Sequence, residues 1–339
     1  MNIKEIAKKA GVSVATVSRV LNHPEVVQPE TREHVLKVMK EFNYTPNWFA
    51  RSLNLNRTHT IALMIPTVEK TSYQQIVSGV EQVAIRKKYA TLLCNTHNDL
   101  KTELNYLDMI INRKIDGIIL YSSNLNREQL DKFKANKTPL IFIGKNDVFK
   151  NENSCYINFE ESAFKMTKHL IEMNHTNIDL AIDESSKQTN EYFVKGYKDA
   201  ITSLNENMGK IHYCESSIEG GYLLTKKLIH KKELPMAIFS SDDEIAFGIM
   251  KAAREEKIDI PSRLAIAGFS DSPMCTLVTP ELTSVEQPSK KLGMVAARML
   301  FDIIEDEELA LDTTHEIVLQ STIKIRQSCG NRKRIYELF

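Results

Sequence analysis

The chain has 339 residues, with 44 basic and 44 acidic side chains and a formal net charge of zero. That length exceeds one ordinary hydrophobic core and predicts two or three domains. The sequence contains no apolar run of the roughly 20 residues that a membrane span needs, and no signal-peptide h-region. We therefore expect a cytoplasmic globular protein without a membrane partner, whose five widely spaced cysteines are reduced.

Charge is distributed unevenly along the chain. Residues 1–58 hold nine Lys or Arg and five Glu, a net charge of +4, so residues 59–339 carry −4. A small basic segment on a mildly acidic body fits phosphate contact by that segment alone. Nucleic acid therefore remains a candidate partner although the whole chain is neutral.

The segment 3–21 predicts two short helices separated by a tight turn. Gly11 suits the left-handed conformation that ends a helix, and Ser13 suits the N-cap of the next one. Three apolar residues of the second helix can pack inward: Val17, Val20 and Leu21. The outward face is then small, polar or basic, which a DNA major groove admits, so the segment is predicted to be a helix-turn-helix.

A third helix is predicted from Pro29, which suits the first helical position, to an apolar face that ends at Phe42. It would complete a helix-turn-helix domain over residues 1–46. Residues 47–59 are predicted to form a hinge helix and a polar linker. Eight or nine helical residues are fewer than the roughly 12–15 that an isolated helix needs in water, so this helix would form only on a partner.

From residue 60 onward, strands and amphipathic helices alternate, which is typical of parallel, doubly wound sheets. We expect one domain over residues 60–329, made of two such lobes. The first lobe is predicted over about 60–158 and 287–315, and the second over about 159–286 and 316–329. Residues 330–339 are predicted to be a flexible tail.

Three stretches resemble the LacI/GalR family of bacterial repressors: IKEIAKKAGVSVATVSRVLN, QPETREHVLKVMKEFNYTPNWFARSL and THTIALMIP. The resemblance is specific over residues 2–66 and looser to about Ser328. It implies a small all-α helix-turn-helix head on an α/β periplasmic-binding-protein-like core. It also implies a homodimeric repressor of a carbohydrate or other metabolic operon, controlled by a small-molecule effector (a sugar or related metabolite). No enzymatic motif occurs, and we expect no cofactor or metal.

The resemblance also implies which residues meet double-stranded operator DNA. Val14, Ala15 and Arg19 would face base edges, and Leu53 of the hinge helix would wedge into the minor groove. The remaining predicted DNA-binding residues touch phosphates, brace helices or lie in the hinge helix: Ser13, Thr16, Ser18, Asn22, Thr31, Tyr44, Asn47, Ala50 and Arg51. Val14 and Ala15 have no hydrogen-bonding side chains, so base readout would rest on Arg19 and on DNA deformation. The alternatives are a phosphate-only contact for Arg19 and an ordinary core contact for Leu53.

An effector cleft is expected beyond the carboxyl ends of the parallel strands. Its predicted residues are Tyr73, Ser122, Gly144, Lys145, Gln188, Asn190, Phe193, Asp242, Ser270 and Asp271. Sugar-responsive family members commonly carry an Asp, an Arg and an Asp where this chain has Gly144, Phe193 and Ser270. The departures favour an effector less polar than a free monosaccharide, or one held through Asn190, Gln188 and Lys145. Asp242 is either a polar anchor or a helix cap, and Tyr73 and Phe193 are either stacking faces or core.

Two other functions remain open at the level of sequence. A solute-binding protein for transport would explain the two lobes, but it would need a signal sequence and has no use for residues 1–58. A regulator whose co-effector is a phosphorylated carrier protein, bound outside the cleft, would explain the weak sugar anchors.

Overall fold

The computed structural model describes residues 2–22, 24–44, 57–121, 124–145, 147–185, 187–204, 206–305 and 314–330. The chain forms two compact units, Met1–His59 and Thr60–Phe339. The predicted hinge helix and nearly all of the predicted tail lie outside the described residues. Within the described part, no helix is long and apolar enough to cross a membrane.

The described part of the first unit contains three α-helices: α1 (Ile3–Lys9), α2 (Val14–Asn22) and α3 (Pro29–Glu41). Asn2 and Glu5 form a capping box at the start of α1, and Gly11 turns the chain at a φ of +66°. Eight buried side chains make the core: Ile6, Ala7, Ala10, Val17, Val20, Val35, Val38 and Met39. Leu21 and Phe42 pack against this core, so the predicted helix-turn-helix and its inward face are confirmed.

The second unit alternates strands and helices. In chain order its elements are β1 (Thr60–Ile65), α4 (Thr71–Arg86), β2 (Ala90–Asn95), α5 (Leu100–Asn112), β3 (Gly117–Tyr121), α6 (Arg127–Lys134), β4 (Leu140–Ile143), β5 (Ser154–Ile157), α7 (Phe159–Glu172), β6 (Ile178–Asp183), α8 (Lys187–Ser203), β7 (Ile211–Cys214), α9 (Ile218–His230), β8 (Ala237–Ser240), α10 (Asp243–Glu255), β9 (Ala265–Ser270), β10 (Thr283–Glu286), α11 (Ser289–Glu305), β11 (Glu316–Leu319) and β12 (Thr322–Lys324). Five of these helices begin with an Asn, Ser or Asp side chain that accepts a backbone N–H, which fixes where each helix starts: Asp99, Asn126, Asn158, Ser217 and Asp242.

Two six-stranded sheets organise this unit into lobes. The first sheet has the order β11-β5-β4-β3-β1-β2, and every neighbouring pair is parallel. The second has the order β12-β10-β9-β8-β6-β7, in which β12 alone is antiparallel to its neighbour. Successive residues of β1 join cores on opposite faces, Leu63 on one and Met64 on the other, as expected when helices cover both faces. The predicted doubly wound lobes are confirmed.

The predicted boundary between the lobes at residue 316 is wrong. Strand β11 pairs with β5 in the first sheet, with Glu316 beside Ser154 and Leu319 beside Ile157. The first lobe therefore extends to Leu319, and the chain crosses between the lobes after β5, β10 and β11. Three of the four side chains of β11 are exposed, so its pattern does not indicate which core it joins.

Two glycines bring α4 and α11 into close contact in the first lobe. A Cβ at Gly79 would lie 2.1 Å from the carbonyl oxygen of Lys290, and one at Gly293 would lie 2.2 Å from that of Ile76. No side chain fits such a gap, so glycine at both positions lets a helix from the end of the chain pack directly on the first helix of this lobe.

Candidate functional site

The outer face of α2 carries the side chains predicted to meet DNA. Its exposed members are Ser13, Val14, Ala15 and Arg19, and its half-buried members are Thr16 and Ser18. Ser13 Oγ accepts a hydrogen bond from the backbone N–H of Thr16 at 3.0 Å, and this N-cap fixes the start of the helix. Arg19 is the one basic side chain of α2 and lies on its exposed face.

The other predicted DNA-binding residues occupy different settings. Thr31 lies in the first turn of α3, and Tyr44 is half-buried against the core of the head. The side chain of Asn22 and the hinge residues lie outside the described part of the chain, so their roles stay predictions: Asn47, Ala50, Arg51 and Leu53.

Two adjoining cavities lie where the carboxyl ends of the parallel strands of both lobes meet. Tyr121, Phe159 and Thr189 line both of them. This position is the one expected for a ligand site in parallel sheets. We call the two cavities together the cleft.

Seven of the ten predicted effector residues line the cleft: Tyr73, Gly144, Lys145, Asn190, Phe193, Asp242 and Ser270. Asp271 lines neither cavity, and its Oδ1 lies 2.6 Å from a guanidinium nitrogen of Arg326. Its role as an effector residue stays a prediction. Ser122 and the side chain of Gln188 lie outside the described residues.

Aromatic side chains form the wall shared by the cavities. The rings of Tyr73 and Tyr121 meet edge to face, with centroids 5.0 Å apart. Burial raises the pKa of Tyr121 to about 12. Burial also raises the pKa of Tyr73 well above its ordinary value, and the neighbouring Tyr121, Asp183 and Asp242 raise it further. Both phenols therefore remain protonated near neutral pH and can donate hydrogen bonds.

Phe193 belongs to the core of the second lobe although it reaches the wall of the cleft. It is 2% exposed, and its ring centroid lies 4.9 Å from that of Phe239 and 5.0 Å from that of Phe269. Of the two predicted alternatives, core packing therefore describes Phe193.

One end of the cleft is acidic. Asp242 caps α10, since its Oδ1 accepts the backbone N–H of Glu244 at 2.9 Å, and its Oδ2 lies 3.4 Å from the ammonium of Lys70. Its role as a polar anchor for the effector stays a prediction. Asp183 Oδ2 lies 3.5 Å from the same ammonium. Sequence reasoning included neither Lys70 nor Asp183 among the effector residues, because nothing local to either residue indicates its partner.

The other end of the cleft is basic and aromatic. The ammonium of Lys145 lies 5.2 Å from the ring centroid of Tyr192 and 5.7 Å from that of Tyr156. Among the described residues, no carboxylate forms an ion pair with Lys145. The cleft thus offers an acid pair with its lysine at one end and the ammonium of Lys145 beside two aromatic rings at the other.

The head and the core each match a known family of domains. Residues 2–47 match the family described as bacterial regulatory proteins, lacI family, and residues 167–329 match a periplasmic binding protein-like domain. A helix-turn-helix head joined to such a core defines a DNA-binding transcription regulator.

Full-length relatives identify the family. Catabolite control protein A of Priestia megaterium is 32% identical over 331 residues, which are 97% of this chain and 99% of that protein. The HTH-type transcriptional repressor PurR of Haemophilus influenzae (strain PittEE) is 31% identical over 333 residues, with 95% and 98% covered. The chain belongs to the LacI family of bacterial transcription regulators.

A solved structure shows the same fold over nearly the whole chain. The lac repressor dimer bound to operator and the anti-inducer ONPF aligns with a TM-score of 0.88 at 21% identity. The alignment covers 97% of this chain and 99% of that chain.

Proposed function

We propose that this regulator acts in the cytoplasm as a homodimeric repressor of a carbohydrate or other metabolic operon, without catalytic activity. The observation that carries the proposal is the presence, in one chain, of an exposed α2 face and a cleft between two lobes. A transport protein has no use for such a head. The alternative in which a phosphorylated carrier protein is the co-effector is not favoured over this function by the relatives.

Two-fold symmetry of the operator follows from a two-fold dimer, since each head would read one half-site. The lac repressor is a dimer on its operator in the structure compared above, and this chain carries apolar surface that suits self-association. Ile85 of α4 and Leu93 of the edge strand β2 are 69% and 40% exposed.

Selection of genomic fragments by the full-length protein, followed by footprinting, is expected to give a near-palindromic site. On that site, Leu53→Ala should lose most specific affinity and keep salt-sensitive non-specific binding, because a leucine wedged between base steps stabilises kinked DNA. Leu55→Ala, two residues away in the same segment, is the matched control and should bind as wild type does. A site without two-fold symmetry would contradict the dimer, and unchanged affinity of Leu53→Ala would contradict the wedge.

The lining of the cleft supports a polar effector with an anionic group. Asn190, Gln287 and the acid pair surround one end with hydrogen-bonding groups, which goes against an effector less polar than a free monosaccharide. Lys145, at the other end, fits a phosphate or carboxylate. A phosphorylated sugar or nucleoside combines both features.

Calorimetric titration with glucose and glucose 6-phosphate, and with ribose and ribose 5-phosphate, tests this chemistry. Each phosphate is expected to bind about tenfold tighter than its free sugar, since a hydrogen bond to a charged group contributes roughly 1.5–3 kcal/mol. The binding ligand should also change operator affinity. Lys145→Met should remove the preference, and a free sugar that binds as tightly as its phosphate would count against the anionic group.

A further inference from the structure

The side chain of Lys70 spans the cleft from one lobe to the other. Lys70 belongs to the first lobe, where it immediately precedes α4 and its side chain makes no cap bond to that helix. Its ammonium donates a 2.7 Å hydrogen bond to Ser216 Oγ and lies within 3.5 Å of the carboxylates of Asp183 and Asp242. All three partners belong to the second lobe.

The partners of Lys70 come from three neighbouring strand ends. Asp183 is the last residue of β6, Ser216 follows β7, and Asp242 follows β8. The side chain of Lys70 is 26% exposed, and those of Asp183 and Asp242 are 13% and 17% exposed. Partly buried charges interact more strongly than charges in exposed surface ion pairs, and salt screens their interaction less.

Removing the lysine charge would leave two carboxylates close together without a cation. Each carboxylate already uses its other oxygen inside the second lobe: Asp183 Oδ1 accepts from Ser185, and Asp242 Oδ1 caps α10. The acid pair is therefore fixed in place by its own lobe, and Lys70 is the cation among the described residues that neutralises it from across the cleft.

We propose that Lys70 is a built-in latch that holds the two lobes together in the absence of an effector. The proposal rests on the proposed function in one respect: the cleft is taken to be the site that controls operator binding. An effector group that reaches Asp183 or Asp242 has to displace Lys70. A group bound at the Lys145 end leaves the latch in place, so Lys70 restricts which ligands can open the lobes.

Distances between spin labels on the two lobes test the latch. Lys101→Cys in α5 and Glu219→Cys in α9 place labels on exposed first-turn positions, one in each lobe, while all five native cysteines are buried. Double electron–electron resonance on the full-length protein, without DNA or effector, reports the ratio of closed to open lobes. Lys70→Met keeps the apolar stem and removes the charge, and it is expected to lower this ratio about tenfold.

Three further variants separate a latch from a general stabilising contact. Lys70→Arg keeps the cation and should stay closed. Asp242→Asn keeps an N-cap side chain, removes the charge and should open the lobes, with little added effect from Lys70→Met. Lys87→Met breaks a 2.7 Å ion pair with Glu305 that lies wholly within the first lobe, and it should stay closed.

Wild-type distances in Lys70→Met, or equal opening in Lys87→Met, would overturn the latch. The readout requires neither operator nor effector. A failure of the proposed repressor function would therefore show in DNA binding and leave these distances unchanged.

Discussion

Replacing Val17 by Asp is expected to abolish operator binding while the effector-binding unit stays folded. Val17 is fully buried in the eight-residue core of the head. A domain of this size has a stability of roughly 3–5 kcal/mol. A carboxylate without a partner at such a position costs more than about 4 kcal/mol, so the head should unfold at ordinary temperatures.

Calorimetry and DNA binding together measure this outcome. The wild-type chain, with its two compact units, is expected to show two thermal transitions, and Val17→Asp should lose only the one that belongs to the head. Val14→Asp is the matched control, since Val14 lies three residues earlier on the same helix and is 41% exposed. It should keep both transitions. Retention of specific operator binding by Val17→Asp would show that the head does not depend on this core.

Replacing Arg19 by Ala is expected to cost about 1–3 kcal/mol of operator affinity and to relax base preference at one position in each half-site. Arg19 is exposed on the outer face of α2. Its neighbours on that face, Val14 and Ala15, have no hydrogen-bonding side chains, so no other side chain of this trio can replace a bidentate contact with guanine. Competition binding against operators that carry every single-base change measures the preference.

Lys37→Ala is the control for Arg19, because it removes the same charge from an exposed position on α3. It should leave base preference unchanged and at most weaken binding to all sequences equally. If Arg19→Ala also weakened all sequences equally, Arg19 would be a phosphate contact and the specificity would come from elsewhere in the head or hinge.

The elements that the sequence predicts well are those whose pattern is local. The inward spacing of Val17 and Val20 defines α2, and the fully buried strands around Leu63 define a parallel sheet, because each pattern depends only on neighbours along the chain. Strand β11 has mostly exposed side chains and pairs with β5 some 160 residues earlier in the chain. Its periodicity does not indicate which sheet it joins, and the prediction assigned it to the wrong lobe.

The contacts in the cleft are even harder to predict from local sequence patterns. Lys70 meets Asp183, Ser216 and Asp242 across 113, 146 and 172 residues. Nothing in the sequence around Lys70 indicates which residues its side chain contacts. The ion pair between Asp271 and Arg326 could not be predicted for a similar reason, since the two residues meet only in the tertiary fold.

The head and the first lobe can complete their folds at different stages of chain synthesis. Six side chains of α11 belong to a core of the first lobe, and β11 extends its sheet, so this lobe cannot be completed on the ribosome until almost the whole chain has emerged. The head has all of its core by Met39 and can fold as soon as it leaves the exit tunnel. Each nascent chain therefore carries a folded DNA-reading helix before its effector cleft exists. A product released early by premature termination would keep that helix without a completed cleft to regulate it.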